Sequence, residues 1–533
     1  MKRLFVILLV LCLLLCGCGE PEKAYTPTGD GLSYDDVDDS ENAADQNDQV
    51  QELALIYYPD KSLNPFEATD YTNRTLFSLV YQSLFFVDRE YNPVPILCKS
   101  YSVSSDLCSY NFVIEENAVY SDGSPVTAAD VAKSLLTAWD SPYFSGRFTY
   151  FRSVVLEKND TVTVNLTTPM ENLPLLLDIP IVKQEELKAD RPLGSGPYYY
   201  DDQAATLRLR RTKNWWCDGN TAATAAAIEL QEAQSNPQIR DQFQFFGLSL
   251  VCADPGSDSY SDYRCDFELW DCENGIFLYL ACNEESEALK SKELRAALTY
   301  AIDRDTIADE YYRGFALPTS LPTSPRFPYY QESLAEKYSY DPLKFANAVT
   351  SSGVYNEEVV FLVNSDDSLR VRVARAIVDM LADCGMTVTL NELPTDEYRD
   401  ALKYKLYDLY LGQTKLSPNM DLSHFFSAGG KLNYGALDDA NAYTLCLSAL
   451  ENHGNYYTLY KTVMDEGLLC PILVRSYAIY ATRGTITALT PSRDCVFYYT
   501  IGKTLEDVET PWAPIPEETE EETEETTDET QAD

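Results

Sequence analysis

The sequence predicts an α/β protein with at least two lobes, on three observations. Between its acidic ends lie roughly 460 residues, more than one hydrophobic core comfortably serves. Residues 110–136 read as strand, tight turn and capped helix. Residues 359–409 alternate strand-like and helix-like patterns, the βαβ-like arrangement that layers helices on a sheet.

In chain order, Met1-Lys2-Arg3 precedes twelve apolar residues at 4–15 and then Cys16-Gly17-Cys18. Positive charge, a short apolar run and small residues make a secretory signal, too short to span a bilayer. Leu15-Cys16-Gly17-Cys18 resembles a bacterial lipobox in which Cys18 is lipidated, with Cys16 departing from the usual Ala, Ser or Thr. Residues 1–18 are therefore expected to be a lipoprotein signal peptide, and the exported chain to be lipid-anchored on the extracytoplasmic face of a bacterial membrane. Residues 19–50 hold ten acids and one lysine, too little apolar surface to offset ordering, and are expected to be a disordered tether. Residues 513–533 are the matching acidic tail. The two ends carry nearly half of the −43 net charge; the body is acidic too, which excludes nucleic acid as a partner.

Of fourteen cysteines, eleven follow the leader. Export permits disulfides. Cys98 and Cys108 flank a short apparent hairpin and can pair; Cys252, Cys265, Cys272 and Cys282 form a second cluster. Sequence leaves the pairing open, and an odd number leaves one thiol unpaired.

Residues 53–58 are apolar and β-prone, and Leu63-Asn64-Pro65 ends them. After Thr72-Asn73, the spacing of Leu76, Leu79, Val80, Leu84 and Phe85 predicts an amphipathic helix. Tyr110, Phe112 and Ile114 alternate as a half-buried strand. Ser121-Asp122-Gly123-Ser124-Pro125 supplies the turn. Thr127 is the expected N-cap, with Asp130 completing a capping box. Two glycines and a proline in Leu193-Gly194-Ser195-Gly196-Pro197-Tyr198 make a sharp crossing, expected to be a hinge at Gly194, Gly196 and Pro197. Trp215 and Trp216 read as packing residues. Residues 277–283 read as a strand and 294–304 as a helix, with Asp303 and Arg304 as a structural helix-end pair. Val371 to Leu381 is helical in spacing, and Gly385 fits the C′ position before a strand at 387–390.

Four of these blocks together resemble the family 5 extracytoplasmic solute-binding proteins that serve ABC transporters. They are Leu63-Asn64-Pro65 with its following helix, Tyr120 to Val131, Gly194-Ser195-Gly196-Pro197-Tyr198, and Leu294 to Arg304. Departures are Glu115-Glu116, where the family carries a basic residue, and Tyr101 in place of Trp. The resemblance implies a type II periplasmic-binding-protein fold of two lobes plus an extra domain. Its implied division is a discontinuous first lobe (51–75, 190–275, 471–512), an inserted domain (76–189) and a second lobe (276–470). It also implies permease and ATPase partners, no cofactor, and a peptide or another small solute such as an oligosaccharide or metal chelate as ligand. A receptor or signalling role without transport is the other reading.

Carried over by position, the resemblance places Thr69, Tyr71 and Tyr143 on the ligand cleft. In peptide-binding relatives an Asp after the Tyr-Asp-Leu strand captures the peptide amine; here that loop runs from Gln413 to Phe426 and includes Lys415, Asn419 and Asp421. Ungapped counting puts Pro418 where the amine-binding Asp belongs, with Asp421 as a substitute only after a three-residue shift. A hydrolase is disfavoured. The chain has two histidines, His424 and His453, no His-Glu-x-x-His pair, no Gly-x-Ser-x-Gly elbow and no converging metal ligands.

Overall fold

A computed structural model describes residues 53–497, apart from residues 159, 218–224, 234, 258–262, 355–356, 435–438, 484–485 and 487–488. The expected signal peptide with Cys18, the tether 19–50 and the tail 513–533 lie outside the described residues.

Strands are numbered in chain order. In the first sheet β1 (Leu53–Tyr57) runs parallel to β10 (Ala227–Glu232), followed by β9 (Arg208–Arg211) and β8 (Tyr198–Tyr200). The second is antiparallel, ordered β4 (Cys98–Val103), β5 (Ser109–Ile114), β7 (Thr161–Leu166) and β6 (Phe151–Lys158). A ribbon joins β2 (Phe85–Val87) to β3 (Pro93–Pro95). The largest sheet runs β11 (Leu250–Ala253), β17 (Cys470–Thr482), β12 (Phe267–Cys282), β16 (Leu409–Lys415), β14 (Glu358–Asn364) and β15 (Thr387–Leu393), with β13 (Ala316–Pro318) on β17.

Two strands of that sheet pass from one hydrophobic core to another. β12 puts Cys272 into a core shared with β1, β5, β7 and β10, and then Phe277, Tyr279 and Ala281 into a separate core. β17 runs the opposite way, from Val474 in the second core to Ile479 and Ala481 in the first. Their pairing loses register between Glu273 and Phe277. At this bulge Gly275 takes φ +67°, a left-handed conformation that glycine adopts at no steric cost.

Residues 110–136 fold as their pattern dictates. β5 alternates half-buried and buried positions, with Tyr110, Phe112 and Ile114 inward. Thr127 Oγ1 accepts from Asp130 N while the Asp130 carboxylate accepts from Thr127 N, so two otherwise orphaned donors at the start of helix Ala128–Trp139 are satisfied. Asp303 likewise caps helix Arg304–Tyr312. Arg304 is buried, and its guanidinium donates to four backbone carbonyls, at Thr299, Ile302, Thr319 and Pro471. The pair is structural.

The structure corrects several expectations. Gly194 and Gly196, expected with Pro197 to be a hinge, lie against the backbone at Val80. Gly196 N donates to Val80 O, and a Cβ on Gly194 would stand 2.0 Å from that same oxygen, so the glycines permit a close backbone approach. Trp215 Nε1 donates to Ser195 O and locks the segment there. β12 and β17 are strands that run from one core into the other. The amphipathic helix at 76–85 is shorter than its spacing predicts: helices Tyr71–Thr75 and Phe77–Val80 give way to extended Tyr81 and then β2. Here the Tyr81 hydroxyl donates to Pro192 O, and a tertiary contact overrides propensity. Cys98 pairs across the hairpin with Ile114, at the far end from Cys108, and all eleven described cysteines are free thiols.

Candidate functional site

Three adjoining cavities meet at Tyr143, which lines all of them. Its position follows from the chain just before it. Helix Ala128–Trp139 ends at Asp140, and Ser141 Oγ donates to Phe66 O and accepts from Tyr143 N. The 3-10 turn Ser145–Phe148 then places Arg147 on the same wall.

Tyr143 is approached from both lobes. The Arg74 guanidinium lies over its ring at 3.2 Å, a cation–π contact. From the end of β16 in the other lobe, Lys415 Nζ donates to Tyr143 Oη at 2.9 Å and pairs with Asp494. Burial pushes the Tyr143 phenol up and Asp494 adds to that, but Lys415, Arg74 and Arg147 together pull it below the ordinary tyrosine value. Every other described tyrosine with a resolved shift moves up. The local potential is positive.

The loop Ser492-Arg493-Asp494-Cys495 is wedged into the β12 bulge. Asp494 N donates to Glu273 O, and Asp494 takes φ +60°. The Arg493 guanidinium donates to Leu416 O and fills the space a Gly275 side chain would need, its Nη2 lying 2.3 Å from that ideal Cβ. Burial raises the Asp494 carboxyl, but Lys415, Arg493 and Arg147 outweigh it and hold the group below the usual carboxylate range. Arg147 is buried and paired with Asp178; burial brings its guanidinium down to about 10.

The residues expected on the cleft separate into two groups. Thr69, Tyr71, Tyr143 and Lys415 share one cavity wall with Gln413 and Tyr477. Tyr71 stacks on Tyr477 at 3.6 Å and accepts from Cys252 Sγ at 3.1 Å. Asp421 reaches the cavity beside Lys415, where its carboxylate accepts from Ser423 N and Oγ; burial raises it despite those bonds. Asn419 stands apart. It is buried, accepting from Ser417 Oγ and touching Met170 Sδ, with its carbonyl held by Tyr456 Oη, and it lines none of these three cavities. Sequence reasoning missed Arg74, Arg147, Arg493 and Asp494. Arg147 lies four residues after Tyr143, a spacing that turns it onto the same wall; Arg493 and Asp494 sit in a turn after Pro491, where periodicity carries no signal.

Residues 92–433 match the model of the bacterial extracellular solute-binding proteins, family 5 Middle, well over half the chain. The chain belongs to that family. Its fold is the two-lobed type II periplasmic-binding-protein arrangement with an extra domain. Against the glutathione-binding protein GsiB of Escherichia coli O1:K1 it is 24% identical over 310 residues, 55% of this chain and 60% of that protein. The match thus spans less than two thirds of that relative's length. The substrate-binding protein CtaP of Listeria monocytogenes has the same fold at TM-score 0.69 and 21% identity, over 84% of this chain and 97% of its own. So does a putative peptide-binding protein AppA from Clostridium difficile, at TM-score 0.68 and 17% identity over 85% and 99%. The family's members are extracytoplasmic binding proteins, and these relatives are binding proteins, not enzymes. Among the described residues no helix is long and apolar enough to cross a membrane.

Proposed function

We propose that this chain captures a small solute outside the cytoplasm, in the cleft around Tyr143, and delivers it to an ABC-transporter permease powered by its ATPase. The observation that carries this reading is the meeting of both lobes on one side chain: Arg74 from the first and Lys415 from the second both contact Tyr143. Lobes joined by two crossing strands can close on a solute held there, and a membrane partner can read the closure. Relatives named for glutathione and for peptide support a peptide as the solute. Thr69, Tyr71, Tyr143, Lys415 and Asp421 are the proposed contacts, whereas Asn419 braces the loop behind them. The lobe boundaries given above are part of the same proposal, with the crossing moved to β12 and β17. Anchoring through a lipid on Cys18 completes it.

Capture is tested by incubating the purified chain with a bacterial peptide digest, removing free solute, and weighing the complex by native mass spectrometry. One retained equivalent, lost in Tyr143→Ala, is expected. A chain that retains nothing from peptide, sugar or chelate mixtures refutes the capture reading.

A further inference from the structure

The cleft differs from the rest of the molecule in the sign of its charge. The chain carries −43 overall, yet Arg74, Arg147, Lys415 and Arg493 line the cavities around Tyr143 against only Asp178 and Asp494. Lys431 and Asp421 add one charge of each sign. Behind Arg493, Glu273 and Asp271 are matched by Arg326 and Arg89, so the excess of two positive charges survives the widening.

Two of these cations, Arg147 and Arg493, are buried and poorly hydrated. Arg493 is only 6% exposed, and its Nε and Nη1 make no hydrogen bond, although the Asp494 carboxylate stands 3.7 Å from Nε. Arg147 is paired with Asp178, but Asp494 faces both Lys415 and Arg493, which a single carboxylate cannot neutralise. Unbalanced charge in a closing cleft is costly unless an opposite charge enters. Charge-assisted hydrogen bonds to a carboxylate are the strong way to supply it.

We infer that the solute brings a carboxylate into the space between Tyr143, Lys415 and Arg147, and that this anion, not an α-amine, is the group the cleft recognises. The inference rests on the capture reading above and narrows it to carboxylate-bearing solutes. Two sources share that chemistry, the C-terminus of a short peptide and a free organic diacid. Asp494 occupies part of the same cationic field, so the entering anion competes with it for Lys415.

Thermal melts of the full chain test this with matched probes: tri-alanine, N-acetyl-tri-alanine, tri-alanine amide, succinate and succinamide. A ligand that binds the folded form raises the melting temperature by mass action. The expected result is a rise with an acid that its amide reproduces only at about tenfold higher concentration or not at all, and that N-acetylation leaves in place. Tri-alanine against succinate separates the two sources. Lys415→Gln, at the rim and 36% exposed, should weaken the acid's effect about tenfold. Equal shifts from acid and amide, loss of the shift on N-acetylation, or no shift from any acid would overturn the inference. None of these touches the capture reading, which the mass measurement decides separately.

Discussion

Lys415 Nζ and Tyr143 Oη, 272 residues apart in sequence, are joined by a 2.9 Å hydrogen bond that links the end of β16 to the segment after helix Ala128–Trp139. The bond fixes the geometry of the cleft, because Tyr143 also holds Arg74 on its face and Lys415 also holds Asp494. One phenol and one ammonium thereby connect both lobes to the loop at the crossing strands.

The first prediction concerns that phenol. Burial raises Tyr143, but Lys415, Arg74 and Arg147 prevail, so its folded value lies below the unfolded one. The ionised form is therefore favoured by folding: its contribution to stability is present above the unfolded value and is lost as pH falls through the folded value. Ultraviolet difference titration should show one early-titrating phenol that is missing in Tyr143→Phe. An unchanged early step in that variant contradicts the assignment.

Asp494 gives the second. Asp494→Asn leaves Lys415 and Arg493 without their shared counter-charge and should lower stability at neutral pH by about 3 kcal/mol. Its folded value is depressed, so this stability is present above the ordinary carboxylate value and fades as pH falls through the depressed one. Urea melts of both proteins should therefore converge in acid. A constant gap across pH would show that the carboxylate's charge is not the cause.

Gly275 gives the third. At φ +67° a Cβ is strained, and here it would also meet the Arg493 guanidinium. Gly275→Ala should cost about 3 kcal/mol. Gly123→Ala, with φ +82° and nothing within 4 Å, should cost only about 1 kcal/mol. Chemical denaturation of the two variants orders them; equal losses would mean that Arg493 gives way freely.

The fourth is a control remote from the cleft. Thr127→Ala removes one half of the capping box and should cost about 1 kcal/mol with solute affinity unchanged, measured by calorimetry on the captured solute. A large loss of affinity would show that the helix start is coupled to the cleft.

How much of this was legible depends on the kind of signal. The helix Ser368–Asp383, the left-handed Gly385 after it and β15 were all readable, because apolar spacing and one glycine specify them locally. The strand at 277–283 was seen only in its second half. Asp271, Glu273, Asn274 and Gly275 break the apolar pattern, and they do so where β12 leaves one lobe for the other. The interruption that hid the strand is the crossing itself. Gly194 and Gly196 carry a second kind of signal: glycine marks close backbone approach as readily as a bend, and the contact with Val80 shows the close approach. Tyr143 and Lys415, which the structure brings together on one cavity wall, were both expected on the cleft through a resemblance of motifs. Arg493 and Asp494 were not, because their partners lie in β12 and β16, far away in sequence, and a four-residue turn has no periodicity to announce it.

The central claim is that the solute sits where both lobes reach Tyr143. Hydrogen-exchange mass spectrometry of the full chain, with and without the captured solute, tests it most directly. Slowed exchange should appear together at residues 143–148, 413–416 and 493–495, on both sides of the cleft and at the loop between them. Protection confined to one lobe, or lying elsewhere in the molecule, would contradict it.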